Sequence, residues 1–199
     1  MLGRQRGDTI IEVLFATTIF SMVAVGTLSI MNQGTAMAQR ALEINLVREQ
    51  VDAQADALRF LNHAYAADYG KNGTATTRWN EVILPNAVAQ AAPFDSIVRD
   101  DNTCSLPLPA QKPFALDIEK LNTANPTVPL TAVAGTYAKV RYDVPIPTSE
   151  GLWVQAVRSP VIEGQTGYYD FHIRACWQSP GESRPITIGT IVRLYEPRN

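Results

Sequence analysis

A carboxylate standing at the mouth of a long uncharged run is the first side chain in this sequence with a chemistry to explain. Glu12 follows Gly7-Asp8-Thr9-Ile10-Ile11, and no charged residue occurs from Val13 to Gln39. An acid at the edge of so apolar a segment is expensive to keep, so it reads as functional. A local alternative is a capping box, with Thr9 as N-cap and Glu12 reaching back to its amide. Further along, His172 stands between Asp170 and Arg174 in a strand-like run, where a triad would still need a nucleophile. Asp100-Asp101-Asn102 offers oxygen ligands of the kind calcium takes, but without EF-hand spacing, and reads as a solvated turn. Cys104 and Cys176 are the two cysteines, and with two histidines they make a poor set for tetrahedral zinc. There is no His-Glu-x-x-His, no Gly-x-Ser-x-Gly, no phosphate-cradling glycine loop and no Cys-x-x-Cys. The expectation is a protein that is not an enzyme and carries no cofactor or metal.

The elements that position these residues follow from how composition is distributed. Seventeen Lys and Arg against 19 Asp and Glu leave a net charge of −2. With no basic excess, general nucleic-acid binding is not expected, because phosphate neutralisation needs clustered positive charge. Apolar residues make up 46% of the 199, enough for a sizeable core. All 13 prolines lie at or after Pro85. The order is a basic tip, an apolar segment, a polar helix and a turn-rich β region.

Ile10 to Met31 spans 22 residues, enough to cross roughly 30 Å of hydrocarbon as a helix. Arg4 and Arg6 precede it and the next charge is Arg40, so the positive-inside rule places the N-terminus in the cytoplasm and the rest outside. Two ordinary readings compete. One is a cleaved secretory signal, with Ala36-Met37-Ala38 as an A-x-A site, though such apolar regions are usually only about 7–15 residues long. The other is a plain single-span anchor, which leaves Glu12 unexplained.

Gly7-Asp8-Thr9-Ile10-Ile11-Glu12-Val13-Leu14, after a short basic leader and before the uncharged run, resembles the prepilin-type cleavage and methylation motif of type IV pilins and type II secretion pseudopilins. The resemblance covers residues 3 to about 32. It implies cutting between Gly7 and Asp8 by a prepilin peptidase, N-methylation of Asp8, and a functional acid at Glu12, the fifth residue after the cut. The family's usual first residue is Phe or Met, so Asp8 is a departure. The partners implied are other pilin subunits, the prepilin peptidase, the membrane, and inner-membrane pilus or secretion assembly machinery. The location implied is the cytoplasmic membrane first and an extracellular filament afterwards. A head carried on a membrane anchor that never polymerises is the alternative, and a secreted hydrolase with an unrecognised site a third.

Beyond Asn32 the helical period continues. Ile44, Val47, Val51, Ala55, Leu58, Leu61 and Tyr65 form one apolar stripe, with Glu43 and most charged residues off it. His63 reads as surface. Arg48/Asp52 and Asp56/Arg59 have ion-pair spacing. Gly70, Asn72 and Gly73 supply the stop. Asn72-Gly73-Thr74 also matches a glycosylation sequon. Trp79, Val82, Ile83 and Leu84 are expected to pack on the helix. Tyr137–Val144, Leu152–Arg158, Tyr168–Trp177 and Ile186–Tyr195 read as strands. In the third, Tyr169, Phe171, Ile173, Ala175 and Trp177 alternate with Tyr168, Asp170, His172, Arg174 and Cys176, the pattern of a half-buried strand. Pro180-Gly181 should return the chain as a hairpin. The fold class is therefore α+β: a long N-terminal helix, half membrane-type and half amphipathic, packed against a C-terminal antiparallel sheet in a pilin-like arrangement. The segments are 1–7 as leader, 8–34 as transmembrane or filament-core helix, 35–69 as amphipathic helix, and 70–199 as β-rich head. With both cysteines outside the membrane, a Cys104–Cys176 disulfide is expected; two buried free thiols are the alternative.

Overall fold

The computed structural model describes residues 8–71, 73–105, 107–118, 131–132, 151–160 and 165–197. Gly7, the sequon's Asn72 and the strand expected at Tyr137–Val144 lie outside them. The chain divides into two compact units, Met1–Leu42 and Glu43–Asn199. One helix, α1 (Asp8–Asp68), runs through 61 residues with no proline or strong breaker to interrupt it. It ends where glycine was expected to end it. Gly70 takes φ +77, a conformation that costs other residues a Cβ clash, and Lys71 N–H closes the last turn on the Asp68 carbonyl at 3.0 Å. The Asp68 carboxylate then accepts the Thr76 amide at 3.2 Å, holding the start of α2 (Thr74–Val82).

In the second unit a four-stranded sheet has the order β1-β4-β5-β6, formed by Ala87–Val88, Gly151–Arg158, Tyr168–Trp177 and Ile186–Tyr195. The last three make an antiparallel meander, with Val154 opposite Ile173 and Ile173 opposite Thr190. Gly181, at φ +79, lies in the β5–β6 turn. The expected all-antiparallel sheet is corrected on one point: β1 pairs with β4 in parallel, Ala87 opposite Ala156. A two-residue strand carries no alternation to read, and a parallel partner is reached only by a long crossover. A separate pair joins β2 (Ala115–Leu116) to β3 (Thr131–Ala132).

The core lies between one sheet face and the second half of α1. Val47, Val51, Ala55, Leu58 and Leu61 meet Leu152, Val154, Tyr169, Phe171, Ile173 and Val192, with Ile44 and Tyr65 partly buried at the margin. Burial of a side chain such as Leu58 contributes about 1.5–3 kcal/mol. Trp79 stacks on Tyr65 with ring centroids 5.0 Å apart and turns its edge to Tyr169. Val82 and Ile83 are buried as expected, but Leu84 is exposed, because the 3₁₀ turn Leu84–Asn86 carries it off the core. Besides its partner β3, β2 bonds to a side chain of α1, Gln54. Its amide accepts from Leu116 N–H at 2.9 Å and donates to Leu116 O at 2.8 Å.

The expected half-burial of β5 holds only for its first part. From Ile173 onward both faces are buried, including Arg174 and Cys176. A second small cluster, Ile97, Cys104, Trp153 and Cys176, covers the outer face there. It is tied down by the Cys104–Cys176 disulfide, with Cα atoms 5.8 Å apart.

Candidate functional site

Apolar side chains dominate the first unit, and they are exposed. Phe20 and Met22 are each 75% accessible, and Ile10, Leu14, Phe15, Val25, Ile30 and Met37 are similarly open. By length and composition this helix can cross a membrane, and among the described residues it is the only one that can. Four of its hydroxyls do not spoil that surface. Thr17 donates to Val13 O at 2.9 Å, Thr18 to Leu14 O at 2.7 Å, Ser21 to Thr17 O at 2.7 Å, and Thr27 to Val23 O at 2.7 Å. Each satisfies its proton within the helix, so none presents an unpaired donor to an apolar surrounding.

Asp8 is the first described residue of α1, so Thr9 lies inside the first turn and not at the non-helical N-cap that a capping box requires. Glu12 is exposed one turn beyond Asp8. The two acids have the i, i+4 spacing of one helix face. Sequence reasoning thus places Asp8 and Glu12 together, while Gly7 lies outside the described residues.

In the second unit the unexpected feature is Glu43. It is fully buried, and its Oε2 accepts the Trp177 indole N–H at 3.0 Å, while its Oε1 has no partner. The sequence reading left this acid off the apolar stripe. The missed signal is its position four residues before Val47 and eight before Val51, which puts it on the buried face.

His172 and Asp170 do not form a catalytic pair. Both Asp170 oxygens are taken by Arg193, at 2.7 and 2.8 Å, and the same guanidinium lies 4.0 Å from the centre of the Tyr168 ring. That hydrogen bonding holds the Asp170 carboxyl below its ordinary value of 3.8. His172 lies instead against Arg174, Nδ1 to Nη2 at 3.3 Å. Burial, with the Arg174 charge second, lowers its pKa from 6.5, and Asp170 opposes this. Arg174 donates to the Ala92 carbonyl and lies over Phe94.

Asp100-Asp101-Asn102 forms a tight turn. Arg99 N–H bonds Thr103 O at 2.9 Å, Asn102 takes φ +58, and Asp101 Oδ1 accepts the Thr103 amide and hydroxyl at 3.0 and 2.6 Å. Among the described residues no three His, Cys, Asp or Glu side chains gather as metal ligands would.

The fold and these groups define a class: an α+β protein with a membrane-compatible N-terminal helix and a disulfide-stapled sheet unit. Compared with known proteins, the chain matches no family model, no curated protein and no solved structure.

Proposed function

We propose that this chain is a type IV pilin-like filament subunit, a minor pilin or pseudopilin. It is inserted as a single-span precursor, cut between Gly7 and Asp8 by a prepilin peptidase, N-methylated on Asp8, and assembled with other pilin subunits by an inner-membrane machinery. The filament is extracellular or spans the periplasm and serves adhesion, motility, DNA uptake or secretion. One observation carries the reading. A single 61-residue helix exposes apolar side chains through its first part and buries an apolar stripe in a β-rich unit through its second. Such a helix offers an apolar rod for lipid or for neighbouring rods, with a head attached. The Gly7–Glu12 motif at its start supplies the processing site, and no residue takes a catalytic role.

Intact-mass measurement of membrane-extracted protein tests this. The expected species starts at Asp8 and carries one added methyl group. An uncut Met1 species as the sole form would favour the non-polymerising anchor, and a chain starting at Gln39 a secretory signal. Sheared surface fractions then test assembly.

A further inference from the structure

One edge of the sheet is long, and the sequence does nothing to blunt it. Among the described residues β6 is the last strand of its sheet, and the opposite edge is the two-residue β1. Glu196 N–H donates to Gly167 O at 2.8 Å, which fixes the alternation along β6. Its even-numbered residues turn their backbone groups to β5, and Thr187, Gly189, Ile191, Arg193 and Tyr195 turn theirs to the free side. Gly189 marks that side as open. A Cβ placed on it would lie 3.3 Å from Phe94 and from Arg174, so its outer face is covered, yet the residue is exposed. With no side chain, what it exposes is the backbone of the edge. Natural sheets blunt their edges with lysine, proline, bulges or short strands. β6 has ten residues in unbroken register, without proline or lysine, and Ile186–Val192 carries no charge.

A partner for that edge must be an extended strand, and β6 is complementary to itself. In a two-fold antiparallel pair centred on Thr190, Thr187 lies opposite Arg193 and Gly189 opposite Ile191, each twice, and every such pair exchanges two backbone bonds. Tyr195 then falls opposite Pro185, which has no N–H to give. Nothing is lost there, because the Tyr195 carbonyl already accepts from Asn62 Nδ2 at 3.1 Å. Other registers fail at that end. Centred on Ile191, the Thr187 N–H would meet a carbonyl that Asn62 already covers. Centred on Gly189, Arg193 O would face Pro185 and gain no donor. The side chains agree with the Thr190 register. Ile191 of one copy, 60% exposed, comes beside Gly189 of the other, over which Phe94 sits 50% exposed, so two open apolar groups cover each other. Arg184 of one copy lies opposite Glu196 of the other, a match of charge. Glu196 keeps its own Arg158 at 3.0 Å, and a carboxylate has acceptor sites for both.

We infer that β6 is an interaction surface for a second copy of this chain, the two strands pairing edge to edge about a two-fold axis at Thr190 and joining their sheets into one. The contact is isologous and closes on two copies, unlike the open contact that builds a filament, so it stands whether or not the chain polymerises. An unrelated strand could form the backbone bonds, but the Ile191–Phe94 and Arg184–Glu196 matches belong to this chain.

The test uses the full chain in detergent micelles with its native disulfide intact. Thr190→Cys places two thiols opposite each other in a non-hydrogen-bonded pair, with Cα atoms about 4.5 Å apart, within reach of a disulfide. Thr187→Cys is the control, its two copies roughly 20 Å apart at ~3.4 Å per residue. Mild oxidation should cross-link Thr190→Cys into dimers and leave Thr187→Cys monomeric. Ile191→Pro removes an outward N–H and no bond to β5, so when added to Thr190→Cys it should abolish the dimer without lowering the melting temperature. If it does lower it, Ile191→Lys, which puts a charge at the edge, decides in its place. The inference is overturned if Thr190→Cys stays monomeric, or if the edge variants leave the dimer unchanged. It is overturned as well if Thr187→Cys cross-links equally, as random encounter in micelles would produce. Hydrogen exchange gives the last check: the Thr187 and Gly189 amides should be protected in the dimer and exposed in Ile191→Lys. Protection that survives in a monomeric Ile191→Lys chain would mean that another segment of the chain fills the edge, and the inference falls.

Discussion

The indole N–H of Trp177 meets the carboxylate of Glu43 at 3.0 Å although 134 positions separate them. Both are buried. The bond pins the helical segment at Glu43 to the far end of β5. Trp177→Phe removes the donor and leaves the acid without its bond, which should cost about 1–3 kcal/mol in denaturant unfolding. The pair Glu43→Leu with Trp177→Phe should cost less than the two single changes summed, because the acid left without its donor is gone. Additive losses would mean that the contact carries no coupling.

Gln54 presents the same economy with two bonds in place of one. Gln54→Leu keeps the volume but leaves both the N–H and the C=O of Leu116 unpaired in a buried setting. An unfolding loss of about 2–4 kcal/mol is expected, from about 1–2 for each group. Gln54→Glu should retain the acceptor half and restore part of the loss.

The Cys104–Cys176 disulfide closes a sequence separation of 72. Loop-closure entropy gives about 4 kcal/mol of stabilisation. Double substitution by Ser, or reduction, should lower the melting temperature. It should also loosen the 92–105 cover more than the helix–sheet core, as hydrogen exchange would show. Alkylation of the unreduced folded protein should label no thiol.

His172 gives the head an acid dependence. Its folded pKa lies below the usual 6.5 through burial first and Arg174 second, against the pull of Asp170. Between the folded and unfolded values the unfolded chain binds more protons, so stability is complete above about pH 6.5 and falls as pH drops below it. Arg174 stays charged throughout, and Asp170 loses its own contribution only below its ordinary 3.8. Melting temperatures between pH 7.5 and 5 should fall for the wild type, and less steeply for His172→Asn.

The acidic helix tip bears on assembly. After cleavage, one amine would face the carboxylates of Asp8 and Glu12, leaving one negative charge in excess. On this view both carboxylates draw on the amines of their own and neighbouring chains, one amine for every two acids. Glu12→Ala should insert and be cut normally but be missing from sheared filaments, since removing one partner of a buried ion pair costs about 3–5 kcal/mol. Asp8→Asn should impair assembly about as much as Glu12→Gln. If Asp8→Asn assembles as well as wild type while Glu12→Gln fails, Asp8 is only a tolerated first residue.

Sequence periodicity made much of this architecture legible. The bounds of β5 and β6 are those expected, the Val47–Leu61 stripe is buried, and Gly70 ends α1. These features are local, with side chains recurring at 2 or 3.6 residues because one face is buried. What stayed hidden depends on partners far along the chain. Glu43 and Gln54 are polar and look like surface until Trp177 and Leu116 are placed beside them. Arg174 and Cys176 read as the wet side of β5 until the 92–105 segment covers them. The β1 strand is too short for any pattern. At the N-terminus, the exposed helix follows directly from the uncharged apolar run.

The two walls of the main core come from opposite ends of the chain. Val47, Val51, Leu58 and Leu61 form one wall, and the other is completed only by residues as late as Val192. During synthesis the helical wall emerges first and waits, with its apolar stripe bare, until the meander is finished. Closure over such sequence distances is slow. A chain stalled or truncated before β6 would display a naked amphipathic helix to proteases and to its own kind. Quality control of this protein therefore turns on its last ten strand residues, Ile186–Tyr195, and a nascent chain is safe only once they are in place.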